Sequence, residues 1–156
     1  MSANRARARG FSLIELVIVV VIIGIIAAIA IPRMSRGSAG AQDATLTANL
    51  RVLRNAIDLF STEHNNGFPA EANIVSQLTE FSDSAGVAQP AKDSTHIFGP
   101  YVRDIPALPV GAKKGSTGIA AADAAGIGWI YDEVAGTIKA NTTTEQDAGG
   151  KAYNLY

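Results

Sequence analysis

The sequence predicts an α+β fold: one long N-terminal α-helix, membrane-spanning in its first half and amphipathic in its second, packed on a small antiparallel β-sheet head. Three observations predict it. Residues 11–31 form an apolar run in which only Ser12, Glu15 and Gly24 are neither large apolar residues nor Ala. Leu46, Leu50, Leu53, Ile57 and Phe60 then recur at spacings of four, three, four and three, the stripe of a helix with one buried face. Near the C-terminus, IGWIYDEVAGTIKAN alternates Ile127, Trp129 and Tyr131, passes through a turn, and returns with Ile138 and Ala140, the pattern of a hairpin.

As a helix, the apolar run reaches about 32 Å, the thickness of a bilayer's hydrocarbon core. Its Ile and Val content disfavours helix slightly in water, but in lipid helix is the way a single segment satisfies its own backbone. Arg5, Arg7 and Arg9 precede it with no acid among the first ten residues, which predicts the N-terminus inside and the C-terminus outside. From residue 11 onward, ten Lys and Arg face fourteen Asp and Glu, with no basic cluster after Arg54. That balance argues against a nucleic-acid partner. With no cysteine, disulfides, cysteine zinc sites and thiol catalysis are excluded.

Glu15 separates three readings of the segment: a cleavable signal peptide cut after Ala28-Ile29-Ala30, a plain anchor, and a helix that sits in lipid before packing against copies of itself. A carboxylate within a membrane helix costs up to ~3 kcal/mol at the centre and marks function by default. Neither of the first two readings needs it, and Pro32 sits badly beyond a signal-peptidase site.

The stretch RG-FSLIE, followed by a long Ile/Val run with Gly24 and Pro32, resembles the leader and N-terminal helix of type IV pilins and pseudopilins. The resemblance implies cleavage between Gly10 and Phe11 by a prepilin peptidase at the cytoplasmic face, N-methylation of Phe11, and pairing of Glu15 with the Phe11 amine of a neighbouring subunit during assembly. The alternative that a helix permits is a pair with its own amine, four residues away. The resemblance also implies melting between Gly24 and Pro32 in the filament, where Gly is the weakest ordinary helix former and Pro removes a hydrogen bond. A kink at Pro32 is the simpler alternative for the isolated subunit.

Residues 1–10 are thus expected to be a cleaved cytoplasmic leader, 11–32 the transmembrane and filament-core helix, and 33–156 an extracytoplasmic globular domain whose helix continues to about His64. There NNGFP stops it: Gly67 is expected to take positive φ and Pro69 blocks continuation. The stripe from Leu46 to Phe60 is the expected surface for head packing. EANIVSQLTEF predicts a short second helix, SDSAGVAQPAKDST a polar loop, and the Pro-broken segment 98–118 an irregular extended stretch. KAYNLY is expected to add a last strand. Glu63 and Glu71 read as solvated charges, and His64 as a helix-end cap.

The order HNNGFP, short helix, FGPYVRDIPALPVG and aromatic hairpin is similar to the major pseudopilin of type II secretion systems, and the lack of cysteine agrees. The Ala-rich GSTGIAAADAAG and TTTEQDAGG depart from that pattern. The implied partners are further copies in a helical filament, the prepilin peptidase, an inner-membrane assembly platform, minor pseudopilins, and the bilayer before assembly. The implied location is the bacterial inner membrane, single-pass, with the head in the periplasm and the filament there or at the cell surface. A surface pilus, or a membrane-anchored binding module, are the alternatives. Related pseudopilins bind calcium near the C-terminus; Asp123, Asp132, Glu133, Glu145 and Asp147 lack the dense spacing of an oxygen-ligand loop. No metal and no cofactor is expected, with calcium the alternative. GAKKGST lacks the P-loop order and no hydrolase motif occurs, so no enzymatic activity is expected.

Overall fold

The computed structural model describes residues 11–156, with side chains at all of these except 31–36. The architecture is α+β, and the chain divides into two compact units meeting after Ser38. Helix α1 spans Leu13–Glu63. Its backbone stays helical through position 32, so Pro32 withholds one N–H without ending the helix.

In the first unit the apolar side chains from Leu13 to Ile29 are largely exposed. Among the described residues, one helix is long and apolar enough to cross a membrane, over Leu13–Ala30, and none of that stretch is buried. Apolar surface of this extent in water would be unfavourable at ~25 cal/mol per Å², which is why it calls for lipid or protein around it.

In the second unit, Leu46, Leu50, Leu53, Ile57 and Phe60 are all buried, joined by Ala56. They form one core with Leu78, Leu108, Val110, Trp129, Tyr131 and Ile138. Helix α1 ends in a tight turn in which Asn65 and Asn66 take the left-handed conformation, φ 54° and 61°. Gly67, expected to supply the positive φ, does not. Asn tolerates this region better than other side-chain-bearing residues, and the Asn66 N–H donates to Ser61 O at 2.8 Å.

A 3-10 turn at Glu71–Asn73 leads into α2, Ile74–Thr79, which buries Ile74 and Leu78. Part of the expected polar loop is a minimal hairpin: β1 (Phe81–Ser82) pairs antiparallel with β2 (Ala88–Gln89). The Asp83 carboxylate closes it by accepting the N–H groups of Ala85 and Val87, both at 2.9 Å.

The main sheet has the order β3-β4-β5, with β3 at Gly118–Ala120, β4 at Ile127–Asp132 and β5 at Thr137–Ala140. The expected hairpin is β4 and β5, with Trp129 opposite Ala140 and Tyr131 opposite Ile138. The sheet is mixed rather than wholly antiparallel, because β3 runs parallel to β4. Parallel neighbours ordinarily need a long crossover. Here β3 is so short that residues 121–126 suffice to return the chain beside its start, and the Gly118 N–H donates to Gly126 O at 3.0 Å.

The expected final strand is replaced by an isolated bridge between Gln146 and Ala152 and a 3-10 turn at Tyr153–Leu155. Asp147 takes the N–H groups of Gly149 and Lys151 at 2.8 and 2.9 Å, curling the chain where a strand would have to extend. Arg54 then ties the end of the chain to α1: its Nη2 donates to Tyr156 O at 2.6 Å and to Ile138 O at 3.3 Å. Three further donors satisfy carbonyls in the proline-broken stretches. Trp129 Nε1 reaches Pro106 O at 2.8 Å, Tyr131 Oη reaches Pro69 O at 2.9 Å, and Asn49 Nδ2 reaches Ala107 O at 3.1 Å.

Candidate assembly site on the N-terminal helix

The first turn of α1 leaves N–H groups without helical acceptors, and an acid there is favourable to the helix. Glu15 meets this need, accepting the Ser12 N–H on Oε2 at 2.8 Å. Phe11 and Glu15 are both exposed, Phe11 at 90 %. The carboxylate is therefore held beside the start of the helix within one turn of Phe11. Gly10 and the rest of the expected leader, residues 1–10, lie outside the described residues. Hydrolysis of the Gly10–Phe11 bond would give Phe11 an amine that is largely protonated at neutral pH. A carboxylate and an ammonium attract far more strongly in a low-dielectric setting than in water.

Gly24 is surrounded by open space, since a Cβ added there meets nothing within 4 Å. Close packing within one chain thus gives no reason for it. Helix α1 continues through both Gly24 and position 32, so the single chain holds this segment as helix, the state from which any melting in a filament would start.

The head acids have local structural partners. Glu145 Oε1 accepts the Ala112 N–H at 3.0 Å, while Oε2 accepts the N–H groups of Thr143 and Thr144 at 2.9 and 3.1 Å. Asp132 Oδ1 caps the β4–β5 turn through Val134 and Ala135. Asp123 meets the Lys113 ammonium at 2.8 Å and the Asn141 amide at 2.8 Å, and Asp147 accepts the Tyr156 hydroxyl. Glu133 Oε2 accepts the Glu71 N–H at 2.7 Å. No group of three or more His, Asp or Glu is placed to hold a metal ion among the described residues.

Glu63 and Glu71 are not simply solvated. Tyr101 donates to Glu63 at 2.5 Å, and Glu71 accepts the Ala121 N–H at 2.8 Å. His64 does more than cap the helix. It is buried, stacks on Phe60 with ring centroids 3.9 Å apart, and sets Nδ1 and Nε2 each 2.8 Å from a carbonyl, of Phe60 and Asp83 respectively.

The Ala112 N–H, then that of Thr143, holds the Glu145 carboxyl down to about 2. A folded value below the ordinary one contributes stability that is complete above the ordinary value near 4.5 and is lost as pH falls through the folded value. Glu145→Gln should therefore flatten the acid side of the stability profile. Urea midpoints between pH 5 and pH 2 should fall less for this variant than for the parent chain.

Comparison with known proteins bears on the same segment. The family model described as the prokaryotic N-terminal methylation motif matches residues 5–31, a span that contains Gly10, Phe11, Glu15 and Gly24. That motif marks type IV pilin- and pseudopilin-like proteins, so the N-terminal segment is type IV pilin-like and of the kind processed by prepilin peptidase. No match is found among curated proteins or solved structures.

Proposed function

We propose that the chain is a non-enzymatic structural subunit of a type IV pilus-like filament, and specifically the major pseudopilin of a type II secretion system. The observation that carries the filament reading is the coincidence of the methylation motif with a largely exposed, lipid-length helix bearing one acid four residues after Phe11. An anchor for a binding module needs the helix but neither Glu15 nor the cut.

In this reading the leader stays in the cytoplasm and the helix is stored in the inner membrane with the head in the periplasm. Prepilin peptidase hydrolyses the Gly10–Phe11 bond, leaving a carboxylate on Gly10 and an amine on Phe11. N-methylation of that amine follows. The assembly platform then extracts the helix, and Glu15 pairs with a neighbour's Phe11 amine as lipid contacts are exchanged for helix contacts. Minor pseudopilins and further copies complete the filament, with no cofactor required. The methylation motif is common to surface pili and pseudopili. HNNGFP after the long helix and the absence of cysteine favour the pseudopilus.

Mass spectrometry of the chain recovered from membranes tests the reading. A mature chain starting at Phe11 agrees with it, and one retaining Met1 overturns it.

A further inference from the structure

We propose that α1 carries a joint at residues 37–42, a stretch whose helical hydrogen bonds open locally while the helix on either side of it stays formed. The joint lies outside the Gly24–Pro32 segment and does not depend on the filament reading.

A helix in a folded chain is held chiefly by the packing of its side chains, because isolated helices shorter than about 12–15 residues are marginal in water. Two parts of α1 have such support. The stretch Leu13–Ala30 is apolar enough to be held in lipid, and from Leu46 onward the buried stripe enters the core of the head. Residues 33–45 lie between them, and Met34 is their only large apolar residue. None of residues 37–45 is buried. The two compact units divide inside this stretch, after Ser38.

Local propensity weakens the same turns. Gly37 and Gly40 each lower the helical population about fivefold relative to Ala. A Cβ added at either position meets nothing within 4 Å, so packing within the chain does not call for glycine at either. Just beyond, Thr45 and Thr47 turn their hydroxyls back onto the carbonyls of Ala41 and Asp43 at 2.8 and 3.1 Å, an arrangement that slightly destabilises a helix. Opening past the apolar run also frees backbone groups where water can take them up, which lipid could not do. A pull on the apolar stretch therefore opens the joint before it disturbs the core around Trp129.

Amide hydrogen exchange of the full chain in detergent micelles tests the joint, because exchange reads local opening. Amides 38–42 should exchange roughly a hundredfold or more faster than amides 50–60. The slow set includes Val52, Asn55 and Leu59 of the outward stripe from Ala48 to Thr62, whose side chains are exposed, so exposure alone does not account for the difference. Gly37→Ala combined with Gly40→Ala should slow amides 38–42 roughly twentyfold, about fivefold for each glycine, and leave amides 50–60 unchanged. Exchange at 38–42 as slow as at 50–60 would overturn the proposal. So would uniformly fast exchange from 38 to 60, since the whole helix would then be opening, or a double variant that exchanges like the parent chain. None of these results alters the filament reading.

Discussion

Glu15→Val leaves the chain in the membrane fraction, still cleaved at its leader, and removes it from sheared, sedimentable fibres. Insertion survives because Val extends an already apolar run. It should even improve, since a carboxylate in a membrane helix is unfavourable by up to ~3 kcal/mol. Assembly fails because the neighbour's Phe11 ammonium then enters a low-dielectric core without a counter-charge. Breaking a buried ion pair from one side costs about 3–5 kcal/mol, which corresponds to a loss of roughly a hundredfold or more in the association constant at each subunit addition. Quantitative immunoblotting of sheared fibres against membranes reads this ratio. A Glu15→Val chain that forms fibres at the parental level would remove the role assigned to this residue. The Ser12 N–H held by Glu15 at 2.8 Å predicts only a small additional effect on the isolated helix, because caps of this kind contribute about 1 kcal/mol.

Trp129→Ala is the second large effect, and it acts on the head rather than on assembly. Trp129 is fully buried at the centre of the core, opposite Ala140 in the sheet, with its indole N–H on Pro106 O. Truncation to Ala should cost about 3–5 kcal/mol and leaves the Pro106 carbonyl without that donor. Against a total stability of about 5–15 kcal/mol, the head should melt roughly 10–20 °C lower. Thermal unfolding of the detergent-solubilised chain, followed through tyrosine near-UV circular dichroism, measures this without relying on the lost tryptophan. Trp129→Phe should lie between the two. Val134→Ala, at a turn residue 88 % exposed, should leave the midpoint unchanged; an equal drop there would contradict the core as described.

The parts of the fold legible in the sequence are those whose signals are local and periodic. The buried face of α1 follows from spacing alone, because Leu46 to Phe60 repeat with the helix. The β4–β5 hairpin follows from the alternation of Ile127, Trp129 and Tyr131. Strand β3 was invisible because GSTGIAAADAAG neither alternates nor carries bulky residues. Its pairing comes instead from the close approach of Gly118 to Gly126, where an added Cβ would lie 2.7 Å from the Gly126 carbonyl oxygen. KAYNLY has the composition of a strand, but Asp147 offers its backbone a turn and the turn prevails. The roles of Arg54, Glu63, Glu71 and His64 were equally hidden. Each depends on a partner between 19 and 102 residues away, and no local pattern encodes such a distance.

The candidate assembly site is the reverse case. Gly10, Phe11 and Glu15 lie within six residues of one another, so the sequence shows the whole motif, and the structure adds that Glu15 is held at the helix start and that, among the described residues, nothing buries the apolar stretch Leu13–Ala30. The outward stripe from Ala48 to Thr62 has the same periodicity as the buried one. Its exposure is a fact of the folded head.

The claim at the centre of this account is that the cut and Glu15 operate together, since the cut creates the amine that the acid is placed to meet. The most direct measurement is high-resolution mass spectrometry of the intact chain and its N-terminal peptide, from cells that express the peptidase. The account predicts a chain beginning at Phe11 with one added methyl on its α-nitrogen. A chain beginning at Ile31, as a signal-peptidase cut after Ala30 would leave, or one still beginning at Met1, would contradict it.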